Sequence, residues 1–244
     1  MMNAVVETVM VNSFRVQVYA DLYERAARSH SKVLRNFALR GIPKQIYRNR
    51  TIFIHVPKNG GTSVSRSLYG RSIGHRSAEF YRRTDPELFA SATSFAVLRD
   101  PISRFGSACN MLINGGATDV RVPPRVARLL ADLRTVPDIL DWLEGEGENA
   151  FQLNASFRRQ SWYVTDAVGK VLVDRLFVLG RDDAELSEMV ETLSGKALSH
   201  ANRGLSKPIE LSTSDEARVR EFYAPDFELL ANVDAMREVT IAAS

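Results

Sequence analysis

The chain has 244 residues, of which 45% are hydrophobic and 25% charged. This is ordinary globular composition, which excludes intrinsic disorder, and no apolar run approaches the roughly 20 residues that a membrane span needs. A net charge of +3 and a pI near 9.1 suit an anionic ligand but are too mild a basic excess for a nucleic-acid binder.

No Gly/Ser-rich or Pro-rich stretch divides the chain, so one domain over 1–244 is expected, with 1–50 as a helical extension packed on it. The opening MMNAVVETVMVNSF lacks the basic start and longer apolar core of a secretory signal. The single cysteine, Cys109, excludes an internal disulfide and is read as a core residue. Both features lead to the expectation of a cytoplasmic, reducing location.

Residues 12 to 40 contain neither Pro nor Gly. Phe14, Val18, Leu22 and Ala26, then Val33 and Phe37, recur there at helical intervals. One or two helices are expected, stopped by Gly41-Ile42-Pro43. Arg35, Arg40, Lys44, Arg48 and Arg50 form a basic cluster, read as a solvated face, with a groove for an acidic acceptor as the alternative.

Thr51 to Tyr69, TIFIHVPKNGGTSVSRSLY, reads as strand, loop and helix. Ile52, Phe53, Ile54 and Val56 form a buried-strand run that Pro57 ends. Lys58-Asn59-Gly60-Gly61 then lets bare backbone N–H groups approach an anion, and Thr62 and Ser63 open a helix whose N-terminus favours negative charge. A Gly-Gly pair between a strand and a helix is also consistent with a mere tight connection. Lys58 and the two hydroxyls favour anion binding. The lysine precedes the glycines, so this is not the G-x-x-x-x-G-K-S/T loop of nucleotide triphosphatases.

Gly74-His75 follows, with Pro86 at the first turn of a short helix after Asp85. His75 by itself is read as a packed or solvent-facing residue. His55, inside the strand, is read as packed behind the loop. A second informative stretch runs from Ser94 to Leu112. Phe95-Ala96-Val97-Leu98 is another buried strand, and Asp100-Pro101 caps a helix whose Ile102, Phe105, Cys109 and Leu112 share a face. Arg99 stands at the strand's end and Ser107 two turns into the helix. In an open parallel sheet, strand C-termini share the ligand-binding edge, which would put Arg99 beside the Lys58 loop. Arg104 is expected to pair with Asp100 four residues back.

Taken together, Pro57-Lys58-Asn59-Gly60-Gly61-Thr62-Ser63 and Arg99-Asp100-Pro101-Ile102-Ser103-Arg104-Phe105-Gly106-Ser107 resemble the paired signature of sulfotransferases that use 3′-phosphoadenosine 5′-phosphosulfate (PAPS). In that family the first segment, Pro-Lys-Thr/Ser-Gly-Gly/Ser-Thr-Ser, holds the 5′-phosphosulfate. The second, Arg-Asp/Asn-Pro-x-x-Arg-x-x-Ser, holds the 3′-phosphate. Asn59 stands where the family has Thr or Ser. The resemblance implies a nucleotide-binding, P-loop-like α/β fold with a central parallel sheet flanked by helices. It also implies PAPS as cofactor, no metal, and a hydroxyl acceptor on a carbohydrate or glycolipid. By this resemblance Lys58, Asn59, Gly60, Gly61, Thr62, Ser63, Arg99 and Ser107 bind the nucleotide, and Lys58 also acts in catalysis.

Gln160-Ser161-Trp162-Tyr163, the strand Leu176 to Gly180 with a helix from Asp183 to Leu193, and Phe222 to Phe227 are similar to the second half of the carbohydrate-type and bacterial branch. Arg181 and Asp182 stand where that family has a glutamate. His200-Ala201-Asn202-Arg203-Gly204 resembles the loop that closes over the nucleotide, which makes Arg203 a further 3′-phosphate contact and Lys207 a weaker candidate. Gly74-His75 stands where hexuronyl 2-O-sulfotransferases carry the catalytic base. This raises His75 to the candidate that deprotonates the acceptor, with Glu79 as runner-up if the two share a helical face. Residues 113–150, with the helices around Val126–Leu133 and Ile139–Leu143, are read either as part of the acceptor wall or as ordinary helical packing. The rival functions are a nucleotide or phosphometabolite kinase and a nucleotide-binding protein without catalysis.

Overall fold

The structure, a computed structural model, describes residues 19–114, 130–198 and 209–242. Arg203, Lys207 and the His200–Gly204 segment lie outside the described residues, as do Phe14, Val18 and residues 115–129 of the candidate acceptor wall.

Three short helices come first: α1 (Tyr19–Ala27), α2 (Lys32–Leu39) and α3 (Lys44–Asn49). Buried polar contacts tie α1 to the rest of the protein. Asp21 accepts from Arg158 Nη1 and Nη2 at 3.0 and 2.7 Å, and the buried Glu24 carboxylate accepts from the Ser77 N–H and hydroxyl at 2.7 and 2.9 Å. On α2 the inward stripe is Leu34, Phe37 and Ala38, and Phe37 stacks on Tyr23. Val33, expected on that face, is 76% exposed instead. One residue is about 100° of helical rotation, enough to carry Val33 out of the stripe. The cluster from Arg35 to Arg50 is exposed throughout, as a solvated face would be.

The sheet is small and parallel, in the order β1 (Thr51–Ile54), β2 (Thr93–Leu98), β3 (Arg175–Val178). Phe53 lies opposite Phe95, and Val97 opposite Phe177. All of β1 and all of β2 after Thr93 are buried on both faces, which is why they read as unbroken apolar runs, whereas β3 exposes Arg175 at the edge. The rings of Phe53, Phe95 and Phe177 form a ladder across the sheet. Each such burial contributes roughly 1.5–3 kcal/mol. Both outer strands end earlier than expected. The Val56 N–H turns back to Ile54 O, and Gly180 has left the strand with φ +84°.

Helices flank this sheet. After β1 come α4 (Gly61–Tyr69), α5 (Ala78–Thr84) and α6 (Pro86–Ser91). After β2 come α7 (Pro101–Asn114), α8 (Val136–Glu146), α9 (Ala150–Leu153) and α10 (Ser161–Val164). After β3 come α11 (Asp183–Ser194), α12 (Thr213–Phe222) and α13 (Ala224–Ala242). The expected caps form: Asp85 accepts from the Leu88 N–H at 3.0 Å and Asp100 from the Ser103 N–H at 2.8 Å.

A second apolar cluster joins α7, α8 and α12 through Phe105, Cys109, Leu140, Leu143 and Val219. Burial pushes the Cys109 thiol up to about 12, so it packs rather than reacts. Ile139 and Leu143 also pack here as ordinary helix. Among the described residues no helix is long and apolar enough to cross a membrane.

Candidate anion-binding site

Because the three strands are parallel, their C-terminal ends open on one edge, and both motif segments meet there. Arg99, just past β2, donates from Nη1 to the carbonyl oxygen of Lys58 at 3.2 Å. Lys58 has φ +70° and Gly60 φ +74°, so the loop makes two left-handed steps. For a lysine that step costs about 1–2 kcal/mol, which surrounding bonds must offset. Arg104 supplies one of them from Nε to Pro57 O at 3.0 Å.

Arg104 differs from expectation. It is 2% exposed and donates from Nη2 to Ser156 O and Arg158 O at 3.1 and 2.7 Å, rather than pairing with Asp100. Asp100 is occupied in capping α7, and the planar guanidinium fork fits several carbonyls at once. Asn59 also differs. Its side chain is 1% exposed and faces inward, donating from Nδ2 to Val97 O and Gln160 Oε1, both at 2.7 Å. It braces the loop from behind, leaving the main chain at Asn59 as the part a ligand would meet.

Gly60 is the N-cap of α4 and offers no side-chain cap. Ser77, Asp85, Thr135 and Ser212 cap α5, α6, α8 and α12, whereas α2, α3, α9, α10 and α11 lack a side-chain cap as α4 does. The N-cap therefore places no side chain over the start of α4, a helix end of the kind that suits an anion. Gly61 has a separate reason to be glycine: a Cβ there would meet His55 Cδ2 at 2.4 Å and Phe53 Cζ at 2.9 Å. Thr62 is half-buried and Ser63 buried in the first turn.

Electrostatically the edge is strained in one direction. Burial, then Arg99 and Arg104, hold the Lys58 ammonium below its ordinary pKa, and burial with Arg104 lowers Arg99 against the opposing pull of Asp100. No carboxylate among the described residues forms an ion pair with Lys58, Arg99 or Arg104. An arriving anion would relieve this repulsion.

His75 sits beside the loop. Its Nδ1 lies 2.7 Å from His55 O, and because a carbonyl can only accept, Nδ1 carries the proton and Nε2 keeps a lone pair. The His55 ring is 4.2 Å away and is fixed in the same way by Ile73 O. Burial, then the neighbouring His55, pull His75 down to about 3, and burial brings His55 to about 4, so both rings are neutral. Glu79 does not share a helix with His75, since α5 begins at Ala78 behind its cap Ser77. Both Glu79 oxygens are held by Arg82 and Arg83.

Ser107 is half-buried on α7, next to Gly106. A Cβ on Gly106 would meet Ile209 O at 3.1 Å, so the chain from Ile209 crosses α7 beside Ser107. Two residues at the edge escaped role assignment from the sequence. Gln160 bonds to both motif segments, and Asp226 holds the Gln160 N–H and the Ser161 N–H and hydroxyl at 2.8–2.9 Å. The only signal was that both fall in stretches similar to the family's second half. Comparison with family models, curated proteins and solved structures finds no match to this chain.

Proposed function

We propose that this protein is a sulfotransferase that moves the sulfuryl group of PAPS to a hydroxyl on a carbohydrate or glycolipid. The observation that supports this reading is the Arg99 Nη1 to Lys58 O contact, which joins at one sheet edge the two segments that resemble the family's paired signature. The chain has the donors the nucleotide requires. The start of α4, with Gly60, Gly61, Thr62 and Ser63, faces the 5′-phosphosulfate, while Arg99 and Ser107 take the 3′-phosphate. Arg203 is proposed as a further contact on that phosphate.

In the proposed reaction the nucleotide's negative charge raises the basicity of His75, and its Nε2 accepts the acceptor hydroxyl's proton as the acceptor oxygen attacks sulfur in line. The bond from sulfur to the bridging oxygen breaks, and its electron pair leaves on the 5′-phosphate of adenosine 3′,5′-bisphosphate. Lys58 offsets the charge that grows on that oxygen. Positioning supplies the rest, and the residues named require no metal.

The test is calorimetric titration with adenosine 3′,5′-bisphosphate, AMP and ATP, followed by transfer assays with labelled PAPS and sugar acceptors. Tight binding that needs the 3′-phosphate, together with sulfuryl transfer, is the expected result. ATP binding indifferent to the 3′-phosphate would turn the assignment to a kinase. Selective binding without transfer to any acceptor would leave a nucleotide-binding protein.

A further inference from the structure

Gln160 is fully buried, and both polar atoms of its side-chain amide bond to the site. Oε1 accepts from Asn59 Nδ2 at 2.7 Å and from the Arg99 N–H at 2.9 Å, while Nε2 donates to Arg99 O at 2.8 Å. Strand β2 ends at Leu98, whose carbonyl takes the Leu179 N–H at 2.8 Å. Arg99 is thus the first residue beyond the ladder, and the Gln160 amide satisfies both its main-chain groups as a neighbouring strand would. The same oxygen reaches the Lys58 loop through Asn59.

We propose that Gln160 is a positioning residue that sets the spacing between the Lys58 loop and Arg99, and thereby the site's preference for a nucleotide with a 3′-phosphate over one without. The inference rests on the PAPS reading and assigns its specificity to a residue that touches neither phosphate. The amide is the required chemistry. A carboxylate cannot donate to Arg99 O, a thioether makes none of the three bonds well, and asparagine is one methylene too short. The loop keeps its other anchors, Pro57 O to Arg104 and Asn59 to Val97 O, when Gln160 is changed. Among the described residues Arg99 keeps no other main-chain bond, so the loss falls on the 3′ side.

The experiment measures affinities for adenosine 3′,5′-bisphosphate and AMP in the wild type, Gln160→Glu and Gln160→Met. The expected result is a drop of about tenfold in the ratio of the two affinities, with AMP binding changed less than about twofold. A merely structural role would weaken both nucleotides together and leave the ratio alone. An unchanged ratio in either variant overturns the role of Gln160 while the PAPS reading stands. A wild type that does not prefer the bisphosphate overturns the PAPS reading itself. Should both variants fail to fold, hydrogen exchange in the wild type decides: the Arg99 amide should exchange as slowly as those of β2, and fast exchange overturns the proposal.

Discussion

Arg99 Nη1 and the carbonyl oxygen of Lys58, 41 positions apart in sequence, are joined by a hydrogen bond of 3.2 Å. The bond holds two positive side chains on one edge with no carboxylate of the described residues bonded between them, and it uses the carbonyl of the residue that carries the left-handed strain. Charge and strain are thus concentrated in the same turn.

Replacing Lys58 should separate these two effects. Lys58→Ala keeps the strained φ and removes the ammonium, whereas Lys58→Gly removes both. On the proposed function, sulfuryl transfer should fall by at least about a hundredfold in each. Thermal unfolding should show Lys58→Gly more stable than Lys58→Ala by up to about 1 kcal/mol, since glycine accepts that backbone without penalty. Full transfer by Lys58→Ala would remove the assigned role.

Arg104 supports three carbonyls from two segments, so Arg104→Met should leave Pro57 O, Ser156 O and Arg158 O short of donors. Denaturant unfolding is expected to show a loss of about 2–4 kcal/mol. Arg104→Lys should recover little of it, because a single ammonium cannot reproduce the fork.

Gly61→Ala would drive a methyl group into His55 and Phe53. A destabilisation of roughly 1–3 kcal/mol is expected, because the neighbours include a ring packed on β1. His75 should shift as well, since its Nδ1 bond goes to the His55 carbonyl. An unchanged melting temperature would show that His55 can move aside.

The two histidines make a signed statement about acid. Their folded pKa values, about 4 for His55 and about 3 for His75, lie below the ordinary 6.5, so below pH 6.5 the unfolded chain binds more protons than the folded one. The stability from keeping these rings neutral is complete above pH 6.5. It is lost progressively as pH falls towards 4 and then 3. Unfolding free energy measured from pH 7 to pH 4 should fall along that slope, and less steeply in His55→Phe.

On the proposed function, His75→Asn should lower kcat by about a hundredfold to ten-thousandfold while leaving adenosine 3′,5′-bisphosphate binding nearly intact. Glu79→Gln should alter turnover little, its carboxylate being held by Arg82 and Arg83. On the proposed function, a bound nucleotide would add negative charge near His75, so its imidazole pKa, followed by NMR, should rise on binding. No movement would place the nucleotide elsewhere.

Local chemistry made the two strand–loop–helix units readable from sequence. Apolar runs that tolerate burial on both faces marked β1 and β2, Gly60-Gly61 marked the turn, and Asp85-Pro86 and Asp100-Pro101 marked helix starts, each within one to three positions of the observed bounds. The parallel arrangement then brought Lys58 and Arg99 to one edge. What the side chains do there was decided by tertiary packing.

Arg104 turned from Asp100 to carbonyls 47 to 54 positions away, and Asn59 turned inward to a glutamine 101 positions away. Val33 left the core because the face that α2 turns towards α1 runs one residue further on. A sequence determines on its own the features set by backbone preference and hydrophobic period within a few residues. The partner of a buried polar group is chosen by whichever distant carbonyl or amide packing delivers, because leaving any of them unpaired costs more than a local ion pair returns.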